Sequence, residues 1–217
     1  MSVGSTFTET SLPQPLIDRF PQLRETKAVD ENGHPKILFR GTSSPERFKR
    51  NKTAEGDVEF LYGPGTYFTE DPVAASQYAS KTETVEGAVY PAYIVVKNPI
   101  DIDIPLPAEK AELIADVIEK NFETHNVFGG TIRDFLTKKA PHLSASGIWD
   151  AMKAISNGIK GKEVDGLTNA EISQILQQAG FDGLTYAGWS LRGDFPHQCW
   201  VVFDEKQIIP KFAQPAQ

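Results

Sequence analysis

A chain of 217 residues, 40% hydrophobic and 24% charged, has the composition of an ordinary globular protein and enough length to bury one substantial core. Its net charge of −7 argues against nucleic acid as a partner, since tracking phosphates requires clustered Lys and Arg. One cysteine excludes an internal disulfide, no apolar run approaches the length of a bilayer span, and the first residues lack a secretory signal pattern.

Residues 1–12 are polar and small, which predicts a disordered tail; a single domain then covers 13–212, followed by a short tail at 213–217. Pro15-Leu16-Ile17-Asp18-Arg19-Phe20 predicts a short helix opened by proline, and Asp30-Glu31-Asn32-Gly33-His34-Pro35 is a turn cluster. A strand follows from Lys36, ends in Arg40-Gly41-Thr42, and exits at Ser43-Ser44-Pro45. Residues 46–60 are charged and read as a loop placed to gate a ligand.

Gly63-Pro64-Gly65-Thr66-Tyr67-Phe68-Thr69 reads as a glycine-hinged strand, and Asp71-Pro72 as a helix start in which aspartate caps free N–H groups. That helix, through Ser80, sets Tyr78 on the face carrying Ala74, Ala75 and Ala79, toward the sheet. Residues 89–96 are β-rich, with Pro91 marking an edge or bulge, and Asn98-Pro99 ends the run. Leu113, Ile114, Val117, Ile118 and Phe122 recur at helical spacing over 108–121. Further helices are expected at 131–139 and 146–157, so 107–158 forms a helical insertion, read as structural cover for the sheet with partner recognition as the alternative. Residues 159–166 read as an exposed loop, and a helix over 170–179 ends at Gly180 in a left-handed cap.

The candidate chemistry lies on the early strands and one late strand. Arg40 offers a rigid fork of donors for phosphate or ribose oxygens, and Gly41 allows close approach to main-chain groups. Tyr67 and Tyr78 offer aromatic faces to a flat cationic ring. His197 and Cys199 share one face of a late strand, but positions two apart are about 7 Å apart, which favours an inert, half-buried thiol over a Cys/His nucleophile pair. Phe68 stands where a dinucleotide fingerprint would need its third glycine, and Ser156 where a P-loop would need its first. The four histidines form no pair at metal-ligand spacing, so no metal is expected.

Phe39-Arg40-Gly41-Thr42, Gly63-Pro64-Gly65-Thr66-Tyr67-Phe68 and Ala74-Ala75-Ser76-Gln77-Tyr78-Ala79, in this order, resemble motifs of the ADP-ribosyltransferase superfamily. The similarity is to its poly(ADP-ribose) polymerase-like branch and to bacterial effector and phage domains. It extends over about 36–104 and 178–210, where Gly180-Phe181-Asp182-Gly183-Leu184 and the segment from Cys199 to Ile208 look like the closing strands. The resemblance implies an α+β fold, a split β-sheet core with flanking helices, and NAD as co-substrate. It assigns NAD contacts to Arg40, Gly41, Thr42, Tyr67, Phe68 and Tyr78, and catalytic roles to Arg40, Tyr67, His197 and Cys199. Cys199 falls where the family carries a glutamate that orients a ribose hydroxyl. A neutral thiol cannot offset developing positive charge as a carboxylate does, so acceptor activation falls to His197, another group or the substrate.

The implied function is mono-ADP-ribosyl transfer to a macromolecular acceptor, with a protein side chain favoured by the acidic balance. The implied context is a soluble, monomeric bacterial effector or toxin, cytoplasmic before export and without membrane attachment. Two other readings stay open: a catalytically inactive module that binds NAD, ADP-ribose or a protein, and an NAD glycohydrolase.

Overall fold

A computed structural model describes residues 14–42, 61–79, 87–125, 130–139, 147–161 and 167–212. The expected tails at 1–12 and 213–217, the loop at 46–60 and residues 162–166 of the later loop lie outside them.

Seven strands form one mixed sheet in the order β4-β5-β6-β2-β1-β3-β7. They are β1 (Leu38–Thr42), β2 (Thr66–Thr69), β3 (Ala88–Ile94), β4 (Pro99–Asp101), β5 (Gly183–Trp189), β6 (Pro196–Val202) and β7 (Ile208–Pro210). The β4–β5 pair is parallel and the others are antiparallel. β1 pairs with β3 from Leu38↔Ala92 to Thr42↔Ala88, whereas its registered pairing with β2 is Phe39↔Thr69 alone. Among the described residues, the registered ladder between β1 and β2 therefore breaks beyond Phe39.

Alternation along the strands divides the core in two. Leu184, Tyr186, Cys199 and Val201 face the helical layer, with Tyr67 packed beside them. Leu38, Phe68, Ala92, Ile94, Trp200 and Val202 form a second cluster on the other face. The helical layer contains α3 (Ala108–Asn121), α5 (Gly147–Ala154) and α6 (Asn169–Gln178), which bury Ile114, Ile118, Trp149, Met152, Ile172 and Leu176 against the sheet. Full burial of one such aliphatic side chain stabilises by roughly 1.5–3 kcal/mol, so the insertion is part of the domain's main core.

Local chemistry explains the element ends. Before the sheet, α1 (Gln14–Arg19) contributes Ile17 to a small satellite cluster with Leu23, Val95 and Ile209. Asp30 holds the expected turn by accepting the Asn32 and His34 N–H groups at 2.9 Å each. α2 (Pro72–Ala79) starts as expected, with Asp71 Oδ1 accepting from Val73 N at 2.7 Å and Ala74 N at 2.9 Å. Thr168 and Glu171 form a reciprocal capping box at the start of α6. Gly180, at φ +91°, ends that helix in the left-handed region. Pro91 accepts from Lys211 N at 3.1 Å through its carbonyl, so its missing N–H faces the β7 side, where registered pairing stops at Ala92↔Pro210.

Three expected elements differ in form. Over 131–139, α-geometry covers only α4 (Ile132–Asp134), and Phe135–Lys139 widen into a π-helix. There the Thr137 hydroxyl donates to the Arg133 carbonyl at 2.8 Å, the kind of back-bonding that perturbs an i→i−4 ladder. The helix expected at 146–157 is α5 followed by a 3-10 turn over Ile155–Gly158. β3 stops at Ile94 instead of Val96, where Val95 N turns to the Gln207 carbonyl at 2.8 Å.

Candidate NAD site at the split of the sheet

Arg40 lies on β1 one residue past the break in the β1–β2 ladder. Its Nη1 donates to the Tyr67 carbonyl at 3.4 Å, so a side chain serves the β2 edge that β1 has left. The side chain is buried, and burial pulls the guanidinium down to about 10, still charged at neutral pH. A buried cation at a break in a sheet is suited to hold an anionic oxygen. Strand alternation starts Arg40 and Thr42 from the face opposite Gly41, so the candidate contacts approach the break from both sides.

The lack of a Cβ at Gly41 also serves the packing of α2. A Cβ there would stand 1.6 Å from the Ala75 carbonyl oxygen, so glycine lets α2 lie directly on β1. That contact sets the height of α2 above β1 and thereby the position of Tyr78. Ala74, Ala75 and Ala79 make the helix contact, while Tyr78 remains 41% exposed at its flank instead of packing on the sheet. Its ring is open to a ligand on one side.

Tyr67 is partly buried and held at its tip. Its hydroxyl donates to the Gly63 carbonyl at 2.7 Å and accepts from Tyr62 N at 3.2 Å. Gly63, at φ +76°, permits that turn, and a Cβ there would stand 2.4 Å from the Asn169 carbonyl oxygen. Burial raises the Tyr67 phenol, and the nearby Cys199 adds to the rise; Tyr78 is also raised, first by burial and then by Cys199. Phe68, the next residue on β2, turns to the opposite face and packs with Leu38 and Trp200, so it serves the core.

Cys199 lies between Thr69 on β2 and Tyr186 on β5 in the sheet register. Burial pushes its thiol up to about 11, although the Tyr186 hydroxyl and Gly188 N–H oppose the shift by hydrogen-bonding the sulfur. The expected separation from His197 is not kept: Cys199 Sγ and His197 Nδ1 are 3.3 Å apart because both side chains lean together. Contact does not make the thiol a nucleophile, since the charged form is suppressed. Raised to about 11, the thiol holds far less thiolate near neutrality than a free cysteine. Iodoacetamide is accordingly expected to alkylate the folded protein far more slowly than the denatured chain, followed by mass. The sign for stability is also set. A thiol whose folded value is raised contributes fully below pH 9 and loses that contribution as pH rises through about 11, and Cys199→Ser should remove this part of the alkaline loss.

His197 Nδ1 lies 2.8 Å from Thr69 Oγ1, and the side chain is buried. Tyr186 stacks edge-on against Tyr62, with ring centroids 4.5 Å apart, and its phenol is raised first by burial and then by Cys199. Thr69, Tyr186 and Gly188 were not among the expected site residues. Thr69 was open to alternation, two positions beyond Tyr67 on one strand. Tyr186 and Gly188 needed the pairing of β5 with β6.

A seven-stranded mixed sheet covered by helices, with a buried arginine on β1 and tyrosines on β2 and α2, is the architecture of an ADP-ribosyltransferase-like domain. The family model for ADP-ribosyltransferase in polyvalent proteins matches residues 30–210, and the chain belongs to that family. Domains of this class use NAD as co-substrate. Among curated proteins, none gives a significant match. Among the described residues, no helix is long and apolar enough to cross a membrane, and no group of three or more His, Cys, Asp or Glu side chains is arranged to hold a metal ion.

Proposed function

We propose that this domain binds NAD at the β1–β2 break and transfers a single ADP-ribose unit to a protein side chain, releasing nicotinamide. The observation that carries the reading is the end of registered β1–β2 pairing at Phe39, with the Arg40 guanidinium donating to the Tyr67 carbonyl and the Tyr67 hydroxyl anchored on Gly63. In this reading Tyr67 and Tyr78 hold the nicotinamide ring, and Gly41 offers main-chain groups to its carboxamide. Arg40 and Thr42 hold phosphate or ribose oxygens. NAD supplies a glycosidic bond with nicotinamide as leaving group; the chain's residues orient it and keep the ring aside while an acceptor approaches.

A second reading, an NAD-binding module without transfer, is favoured by one observation. Cys199 is a buried neutral thiol at the position where a carboxylate would stabilise positive charge. Incubation with NAD separates the readings. Nicotinamide release with ADP-ribose on a protein acceptor supports transfer, release without a modified macromolecule supports hydrolysis, and binding without release supports the module. Mass spectrometry of a lysate treated with NAD and the protein identifies the acceptor.

A further inference from the structure

The polar cluster beneath the two tyrosines has an internal hydrogen-bond logic. Thr69 Oγ1 accepts from Asp71 N at 3.1 Å and lies 2.8 Å from His197 Nδ1. An amide N–H accepts nothing, so among the described residues the Thr69 hydroxyl proton is directed to Nδ1. A proton on Nδ1 would leave both that hydroxyl proton and the Nε2 lone pair without partners in a buried place. A proton on Nε2 leaves a single group unpaired. Neutral His197 therefore carries its proton on Nε2.

That Nε2 is buried and has no hydrogen-bond partner among the described residues, in a side chain only 8% exposed. Buried donors are seldom left so, and those that are call for an explanation. The ring is closely packed on the Gly188 side. A Cβ at position 188 would stand 2.6 Å from Cys199 Sγ and 3.3 Å from His197 Cε1, and glycine at that position omits it. Phe195 stands at the other side, with ring centroids 6.3 Å apart.

We propose that the His197 Nε2–H is held in reserve to donate a hydrogen bond to an oxygen of bound NAD, with Thr69 setting the tautomer. This rests on the reading of the site given under Proposed function. The cluster then binds substrate by donating a proton, where an acidic side chain would accept one. A donor can position a hydroxyl or carboxamide oxygen but cannot offset positive charge at the ribose carbon.

The test uses the full chain with NAD as probe. Nitrogen-15 NMR of the free protein should find the His197 proton on Nε2 in the wild type and in Thr69→Ser, and lost specificity between the two nitrogens in Thr69→Val. Added NAD should shift the Nε2–H resonance. His197→Gln keeps an amide near the ε position and should retain NAD affinity, whereas His197→Asn places it near δ and should weaken binding by about tenfold, with thermal melts confirming that both fold. A proton on Nδ1 in the free protein, or equal affinities in the Gln and Asn variants, overturns the proposal alone. Failure of the wild type to bind NAD overturns both it and the functional reading.

Discussion

Tyr67→Ala and Arg40→Ala are each expected to reduce nicotinamide release by about 100-fold or more, the scale of loss when a reacting group is no longer positioned. Tyr67 is placed by both ends: its strand pairs Tyr67 with Val201, and its hydroxyl bridges the Gly63 carbonyl and Tyr62 N. Tyr67→Phe separates the ring from the hydroxyl. It should keep most of the release while lowering stability by roughly 1–3 kcal/mol, because Tyr62 N and the Gly63 carbonyl lose a partner. Arg40→Lys keeps the charge but not the planar fork, and should fall between wild type and alanine. Full release in both alanine variants, measured in folded protein, would remove the site from the β1–β2 break.

Cys199→Glu is expected to raise nicotinamide release by about tenfold or more, a gain that misfolding cannot mimic. The position favours an anion in one respect, since the Tyr186 hydroxyl and Gly188 N–H pull the Cys199 value down against burial. It resists one in another, since burial at 6% exposure disfavours any charged form. The carboxyl should therefore titrate above the usual range, and the gain should grow as pH rises through that raised value. Cys199→Gln has nearly the same shape without the charge and should give no gain. Equal rates in the Glu and Gln variants would show that charge at this position is irrelevant to the reaction.

Several site features were legible in the residues themselves. Asp71-Pro72 marks a helix start because both residues act on the N–H groups of the first turn, and the observed cap bonds use that aspartate. The amphipathic spacing over 108–121 matches α3 at both ends, since a periodic apolar stripe meets a proline before it and a polar terminus after it. Arg40, Tyr67, Tyr78 and Cys199 were legible as a set from the order of short motifs, and the fold brings Tyr67 and Tyr78 into electrostatic reach of Cys199. Other features needed neighbours that no single residue shows. The missing Cβ of Gly41 also admits the Ala75 carbonyl. Strand rise sets His197 and Cys199 about 7 Å apart unless their side chains lean together, and here they do, to 3.3 Å.

By itself the amino-acid sequence determined the class of fold, the strand and helix types, and a short list of groups able to hold a flat cationic ring and its phosphates. The fold class follows from the resemblance carried by the ordered motifs; the elements follow from local rules of periodicity, caps and turn residues, and the list of groups from the chemistry of single side chains. Only the tertiary structure decided that the registered β1–β2 ladder breaks after Phe39, that Phe68 faces away from Tyr67's partners, and that Thr69, Tyr186, Gly188 and His197 surround Cys199. Pairing register joins residues more than a hundred positions apart, as in Thr69↔Cys199, and no local pattern encodes which strand a given edge will meet. The tautomer of His197 belongs to the same category, because a proton's place in a buried network is set by every partner at once.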